Sequence, residues 1–208
     1  MTVSRNTLIH IIKQARLSEI LRDLDLEQLM TGTPARRYSL VKRALAKGDL
    51  LQIRRGLYTL NDLYRTEKIH PFALAQWICG PSYISFESAL SYWELIPEGV
   101  RTVTSGTSSR SREFDTPLGH YSFTRVPFSP LYAEVTRIKE GSEVFFMAKP
   151  LRAMADYVYG SKKEWTKERL AESLRIDDMP KMDRKAAALM HHLYNNGRVR
   201  RFIDSYLE

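Results

Sequence analysis

Residues 33–60 carry seven basic side chains, Arg36, Arg37, Lys42, Arg43, Lys47, Arg54 and Arg55, against a single acid, Asp49. The whole 208-residue chain has a formal net charge of +8, so this short stretch holds most of the excess. Any fold must keep one surface of the segment in water, because unpaired charges are not buried. The residue pattern narrows the choice further. Pro34 suits the first turn of a helix. Tyr38, Val41 and Leu45 then recur at helical spacing, with Leu40 and Ala44 beside them. The basic residues of that helix fall mostly on the other side, and Gly48-Asp49 ends it. Two strand-like runs, 50–53 and 57–60, flank Arg54-Arg55-Gly56, which reads as a tight hairpin with arginines at its tip.

Upstream, Leu8, Ile11, Ile12 and Ala15 predict a first helix over residues 7–15. Asp25 followed by Gln28 reads as a capping box opening a short second helix through Leu26, Leu29 and Met30, ended by Thr31-Gly32-Thr33. Three helices and a basic hairpin follow the order of a winged helix-turn-helix. In that geometry the third helix enters the major groove and the hairpin arginines reach phosphate or the minor groove. On this reading residues 1–62 form a DNA-binding domain. Its contact set is Arg36, Arg37, Lys42, Arg43, Lys47, Arg54 and Arg55, with Arg36 and Arg37 placed to specify bases. Tyr38 reads as a packing aromatic, with a base contact as its alternative. The plain alternative for the whole segment is a solvated basic helix followed by an ordinary hairpin.

Residues 60–67 read as a connector, and 68–208 as one mixed domain. Helices are expected over 71–79 and from an N-cap at Ser85 to about Trp93. Strands are expected over 101–105, 112–116 and 120–126, with a further hairpin around Glu140-Gly141-Ser142. Residues 106–111 read as a loop of small residues. Helices over 150–159, 165–174, 181–195 and 198–206 close the chain, with Gly160 and Gly197 as stops. The expected fold class is α+β: a winged helix-turn-helix, then a small antiparallel sheet with C-terminal helices.

No catalytic constellation assembles. The apolar content of 43% and charged content of 27% are ordinary for globular chains, and no apolar run reaches membrane-spanning length. The lone Cys79 excludes an intrachain disulfide and a multi-cysteine zinc site. His10, His70, His120, His191 and His192 lack metal-ligand spacing. Gly106-Thr107-Ser108-Ser109 offers one glycine where a phosphate loop needs several, and Gly160-Ser161 lacks the carboxylate pair of a nucleotidyltransferase. The expectation is a cytoplasmic, non-enzymatic chain without cofactor, metal, signal peptide or membrane segment.

Three stretches resemble the AbiEi-type antitoxins of bacterial toxin–antitoxin systems: RYSLVKRALAKGDLLQIRRGLYTL (37–60), YISFESALSYWELIPE (83–98) and MAKPLRAMADYVY (147–159). The likeness runs in order over residues 26–159 and fades beyond Gly160. It departs at residues 16–24, a longer spacer between the first two helices than the family pattern suggests. The resemblance implies a repressor that binds operator repeats in double-stranded DNA upstream of its own operon, with possible self-association there. It also implies a C-terminal region opposing a nucleotidyltransferase-type toxin. Matching DNA contacts would be Arg36, Arg37, Lys42, Arg43, Arg54 and Arg55. The alternatives are a regulator with no toxin, a module whose basic face binds an acidic partner protein, and a nucleic-acid enzyme that docks through its first domain.

Overall fold

The computed structural model describes residues 8–15, 19–126, 130–181 and 184–207 and shows a mixed α+β chain. Thr7 of the first expected helix, residues 16–18 of the long spacer and residues 182–183 of the third expected C-terminal helix lie outside the described residues. Two compact units divide the chain: residues 1–70 with 116–118, and residues 71–115 with 119–208.

The first unit runs α1 (Leu8–Ala15), β1 (Ile20–Arg22), α2 (Asp23–Leu29), α3 (Pro34–Ala46), β2 (Leu50–Arg54) and β3 (Leu57–Leu60). Its sheet has the antiparallel order β1-β3-β2. Strand β1 occupies the spacer that looked too long. Its three residues have no alternating pattern of their own and become a strand because β3 offers an open edge, pairing Ile20 with Thr59 and Arg22 with Leu57. Helix α2 also starts earlier than expected. Asp25 does not open it; the Asp25 carboxylate, one turn in, accepts the backbone N–H of Arg22 at 2.7 Å. Leu8, Ile12, Leu21, Leu26, Met30, Ala44, Leu50, Tyr58 and Leu60 form the core of this unit.

The second unit holds α4 (Pro71–Ile78), β4 (Ser82–Ile84), α5 (Phe86–Tyr92), β5 (Thr102–Thr107), β6 (Arg112–Thr116) and β7 (Gly119–Arg125). Then follow β8 (Val135–Glu140), β9 (Glu143–Ala148), α6 (Pro150–Ser161), α7 (Lys167–Leu174), α8 (Arg184–Leu193) and α9 (Gly197–Leu207). Its six-stranded sheet has the order β6-β7-β5-β4-β9-β8. The expected small antiparallel sheet is corrected on two counts. The sheet is large, and it is mixed, since β5 runs parallel to β7 and β4 parallel to β9. Strand β4, hidden in sequence between Pro81 and a helix, joins the two hairpin-bearing halves.

Close approaches explain the other differences. Gly106 lies buried inside β5 and not in a loop, because the Tyr83 ring crosses it; a Cβ there would come within 2.5 Å of that ring. Helix α6 continues through Gly160, where a Cβ would sit 3.2 Å from the Phe86 ring, and ends at Lys162 in a left-handed conformation. Gly197 begins α9 where a stop was expected. Phe86 itself has φ of +56°, a conformation costing roughly 1–3 kcal/mol for a residue with a bulky side chain.

Beneath that corner lies a wholly buried polar cluster. Arg152 and Asp156, one turn apart on α6, are both 0% exposed. Arg152 Nε donates to the Asp156 carboxylate at 3.2 Å and Nη1 to the Ala133 carbonyl at 2.8 Å. The same carboxylate accepts the hydroxyls of Tyr83 at 2.8 Å, Ser85 at 2.6 Å, and Tyr194. Ser85 is the N-cap of α5, as expected, yet its hydroxyl serves Asp156 and not the helix. The capping is done from β5 instead, where Thr104 Oγ1 accepts the Ser88 N–H at 3.0 Å.

Removing one partner from a buried ion pair leaves the other charge uncompensated, at about 3–5 kcal/mol. Asp156→Ala should therefore destabilise the second unit by that amount, while Tyr194→Phe, which removes one hydrogen bond to the carboxylate, should cost less, about 1.5–3 kcal/mol. Trp77, Trp93 and Trp165 all lie in this unit, so urea unfolding followed by tryptophan fluorescence reads it alone. Equal losses for the two variants would contradict the account.

The buried phenols make a second prediction. Burial, and then the Asp156 carboxylate, push Tyr83 and Tyr194 well above the usual tyrosine value, and burial pushes Tyr121 up to about 12. Unfolded tyrosines ionise near pH 10 (roughly). Above that pH the unfolded chain holds fewer protons than the folded one, so stability present below it is lost as pH rises. Urea midpoints by tryptophan fluorescence should fall between about pH 9 and pH 11; a flat profile would contradict this.

Candidate nucleic-acid interface

Helix α3 presents two different faces. Leu40, Val41, Ala44 and Leu45 turn inward onto the core, at the spacing that a helix places on one side. Arg36, Tyr38, Ser39, Lys42, Arg43 and Lys47 are exposed. The helix is opened by Thr33, whose Oγ1 accepts the Arg36 N–H at 3.3 Å, with Pro34 in the first turn. Residues 33–36 are exposed all round, so the N-terminal end of the helix projects beyond the packed part of the unit.

Tyr38 overturns its expected packing role, being 69% exposed. Angular position about the helix axis placed it near Leu45 and Val41. Position along the axis decided otherwise, because the core ends before it.

Arg37 behaves differently from the other bases. It is half-buried and pairs with Glu27 on α2 at 2.9 Å, so its guanidinium braces the two helices. Arg43 Nε folds back to the Ser39 carbonyl at 3.2 Å. Arg54 ends β2, and Arg55 with Gly56 makes the turn into β3; both arginines are exposed. Gly56, at φ of +76°, supplies the left-handed position the tight turn needs. Arg54 Nη1 donates to the Arg55 carbonyl at 3.0 Å.

Acidic groups of the unit are engaged locally. The Arg22 guanidinium bonds Asp25 and holds its carboxyl below the usual carboxylate range. Asp49, the only acid of the basic segment, accepts the Tyr64 hydroxyl at 3.0 Å. Glu19 accepts the Thr66 N–H at 2.9 Å. The outer surface of α3 and the β2–β3 turn thus presents a group of exposed cations, with Asp23 the carboxylate beside the turn at Gly56, and an excess of cations suits a polyanion.

Among the described residues no group of three or more His, Cys, Asp or Glu side chains could hold a metal ion, and no helix is long and apolar enough to cross a membrane. In comparisons with protein-family models and with curated proteins, none matches this chain.

The cap at Thr33 fixes where the exposed face begins. Thr33→Ala should weaken α3 by about 1 kcal/mol. Faster hydrogen exchange confined to the first turns of α3 is the expected readout; unchanged protection would remove Thr33 from that role.

Proposed function

We propose that the first unit is a winged helix-turn-helix that binds double-stranded DNA, with α3 as recognition helix and the β2–β3 hairpin as wing. The observation that carries the reading is the exposed, projecting N-terminal half of α3, whose opposite face is sealed onto the core. Lys42, Lys47, Arg54 and Arg55 would neutralise phosphates, as would Arg43 from the helix flank. Arg36 lies where base edges would be read. Tyr38 joins it as a base-contacting residue, its ring suited to thymine methyl groups. Arg37 is assigned the bracing of α3 against α2.

The resemblance to AbiEi-type antitoxins supports the fuller reading. The chain would repress its own operon from operator repeats and, through its second unit, oppose a nucleotidyltransferase-type toxin. It acts by binding, where the DNA is, in the cytoplasm. No catalytic step is assigned to it.

The test is fluorescence anisotropy with duplex DNA from upstream of the chain's own gene, over a range of salt. Arg54→Ala combined with Arg55→Ala should weaken binding about tenfold and lower the salt slope by about 1–2. Tyr38→Ala should leave binding to shuffled duplex unchanged and reduce the preference for the upstream sequence. Identical curves for wild type and the arginine variant would overturn the wing assignment. Co-expression with a neighbouring toxin should restore growth; persistent arrest would overturn the antitoxin role.

A further inference from the structure

The second and third family-like stretches, around residues 83–98 and 147–159, are not used by DNA binding, yet the fold brings them together in the second unit. Below their meeting point is the buried Arg152–Asp156 cluster. Above it opens a cleft of about 300 Å³, at the small end of the range for ligand sites. Its walls include Phe86 and Glu87 from α5, Ser122 and Thr124 from β7, and Tyr157 and Ser161 from α6.

The cleft is built, not incidental. Thr104 and Ser122 are register partners on one face of the sheet, and Thr124 lies two residues further along β7, so the floor is small and polar. Ser85, the residue before Phe86, is tied by its hydroxyl to Asp156, and Glu87, the residue after the strained Phe86, lines the opening. A left-handed aromatic residue persists only where the surroundings over-determine it, and such residues gather at ligand sites.

The lining chemistry selects the ligand. Among the described residues Glu87 is the only charged side chain that lines the cleft, and no cation does, although the chain is strongly basic. Among the described residues no arginine, lysine or histidine forms an ion pair with Glu87. A carboxylate with no cation beside it repels an anion and favours a cation. The flanking Phe86 and Tyr157 rings suit a flat cation. A guanidinium offers a planar fork of donors that a carboxylate accepts in two parallel bonds. The Ser122 and Thr124 hydroxyls can accept the remaining N–H groups.

We infer that this cleft binds a guanidinium group, held by Glu87 in a site that Phe86 and Tyr157 also line. The chemistry is shared by a free guanidino compound and by an arginine side chain on a partner protein. The inference is independent of the DNA-binding reading.

Trp165 is a built-in reporter, since its Nε1 donates to Ser161 Oγ at 2.7 Å and its ring lies 6.0 Å from that of Tyr157. The full chain is titrated with agmatine, with Nα-acetyl-arginine amide and with the neutral Nα-acetyl-citrulline amide, following tryptophan fluorescence. Saturation near about 1 mM or below is expected for a guanidinium probe, and none for the citrulline compound. Agmatine binding at least about tenfold tighter than the arginine amide marks a small-molecule source, and the reverse or equality a protein side chain. Glu87→Gln and, separately, Thr124→Val should each weaken the guanidinium probe, the former at least about tenfold. Urea unfolding shows whether each variant is folded, and Thr124→Val serves if Glu87→Gln is not. Absence of saturation in wild type, equal response to citrulline, or unaltered binding in the folded variants would overturn the inference. DNA binding by the same samples reports on the first unit separately.

Discussion

A guanidinium and a carboxylate shut away from water one helical turn apart leave the second unit little freedom. Burying such charges costs several kcal/mol each unless hydrogen bonds replace the lost water. Arg152 and Asp156 recover them from Tyr83 on β4, Ser85 at the entrance to α5, the Ala133 carbonyl, and Tyr194 just beyond α8. The partners come from three separate parts of the chain. The cluster is satisfied only when the central strand, the helix after it and the C-terminal helices are all in place. It therefore acts as a check on register as much as a source of stability, and it holds the corner at Phe86.

The first unit solves a different problem. A helix as basic as α3 has only one narrow apolar stripe with which to stay attached. Leu40, Val41, Ala44 and Leu45 provide it, the Arg37–Glu27 pair adds a polar brace, and Thr33 secures the end that projects. Exposure of Arg36, Tyr38 and Lys42 follows from this arrangement. Arg36 and Lys42 stand outward because an unpaired charge is not buried, and Tyr38 because the helix outruns its core there.

Much of the first unit was legible in the sequence. The Pro34 start, the Gly48 end and the arginine-flanked turn are local signals, because capping and left-handed glycine depend on a few adjacent residues. Strand β1 was not legible, since Ile20-Leu21-Arg22 sits in a stretch that reads as a spacer and pairs with residues nearly 40 positions away. The exposure of Tyr38 was equally hidden. Spacing tells which way a side chain points around a helix, not how far along that helix the core extends.

In the second unit the hairpin of β8 and β9 and most C-terminal helices could be read from turn residues and spacing. The parallel pairings, the strand role of Gly106 and the cleft at Glu87 could not. Parallel partners are not joined by a hairpin turn, so no turn residues mark them, and Gly106 looks like a loop residue until the Tyr83 ring is laid across it. What the amino-acid order determined alone was where charge concentrates and where helices begin and turn, because those depend on neighbours. Which strands lie side by side, which serine meets Asp156 and which carboxylate faces an open cleft were decided only in three dimensions, where residues distant in sequence compete for the same buried hydrogen bonds.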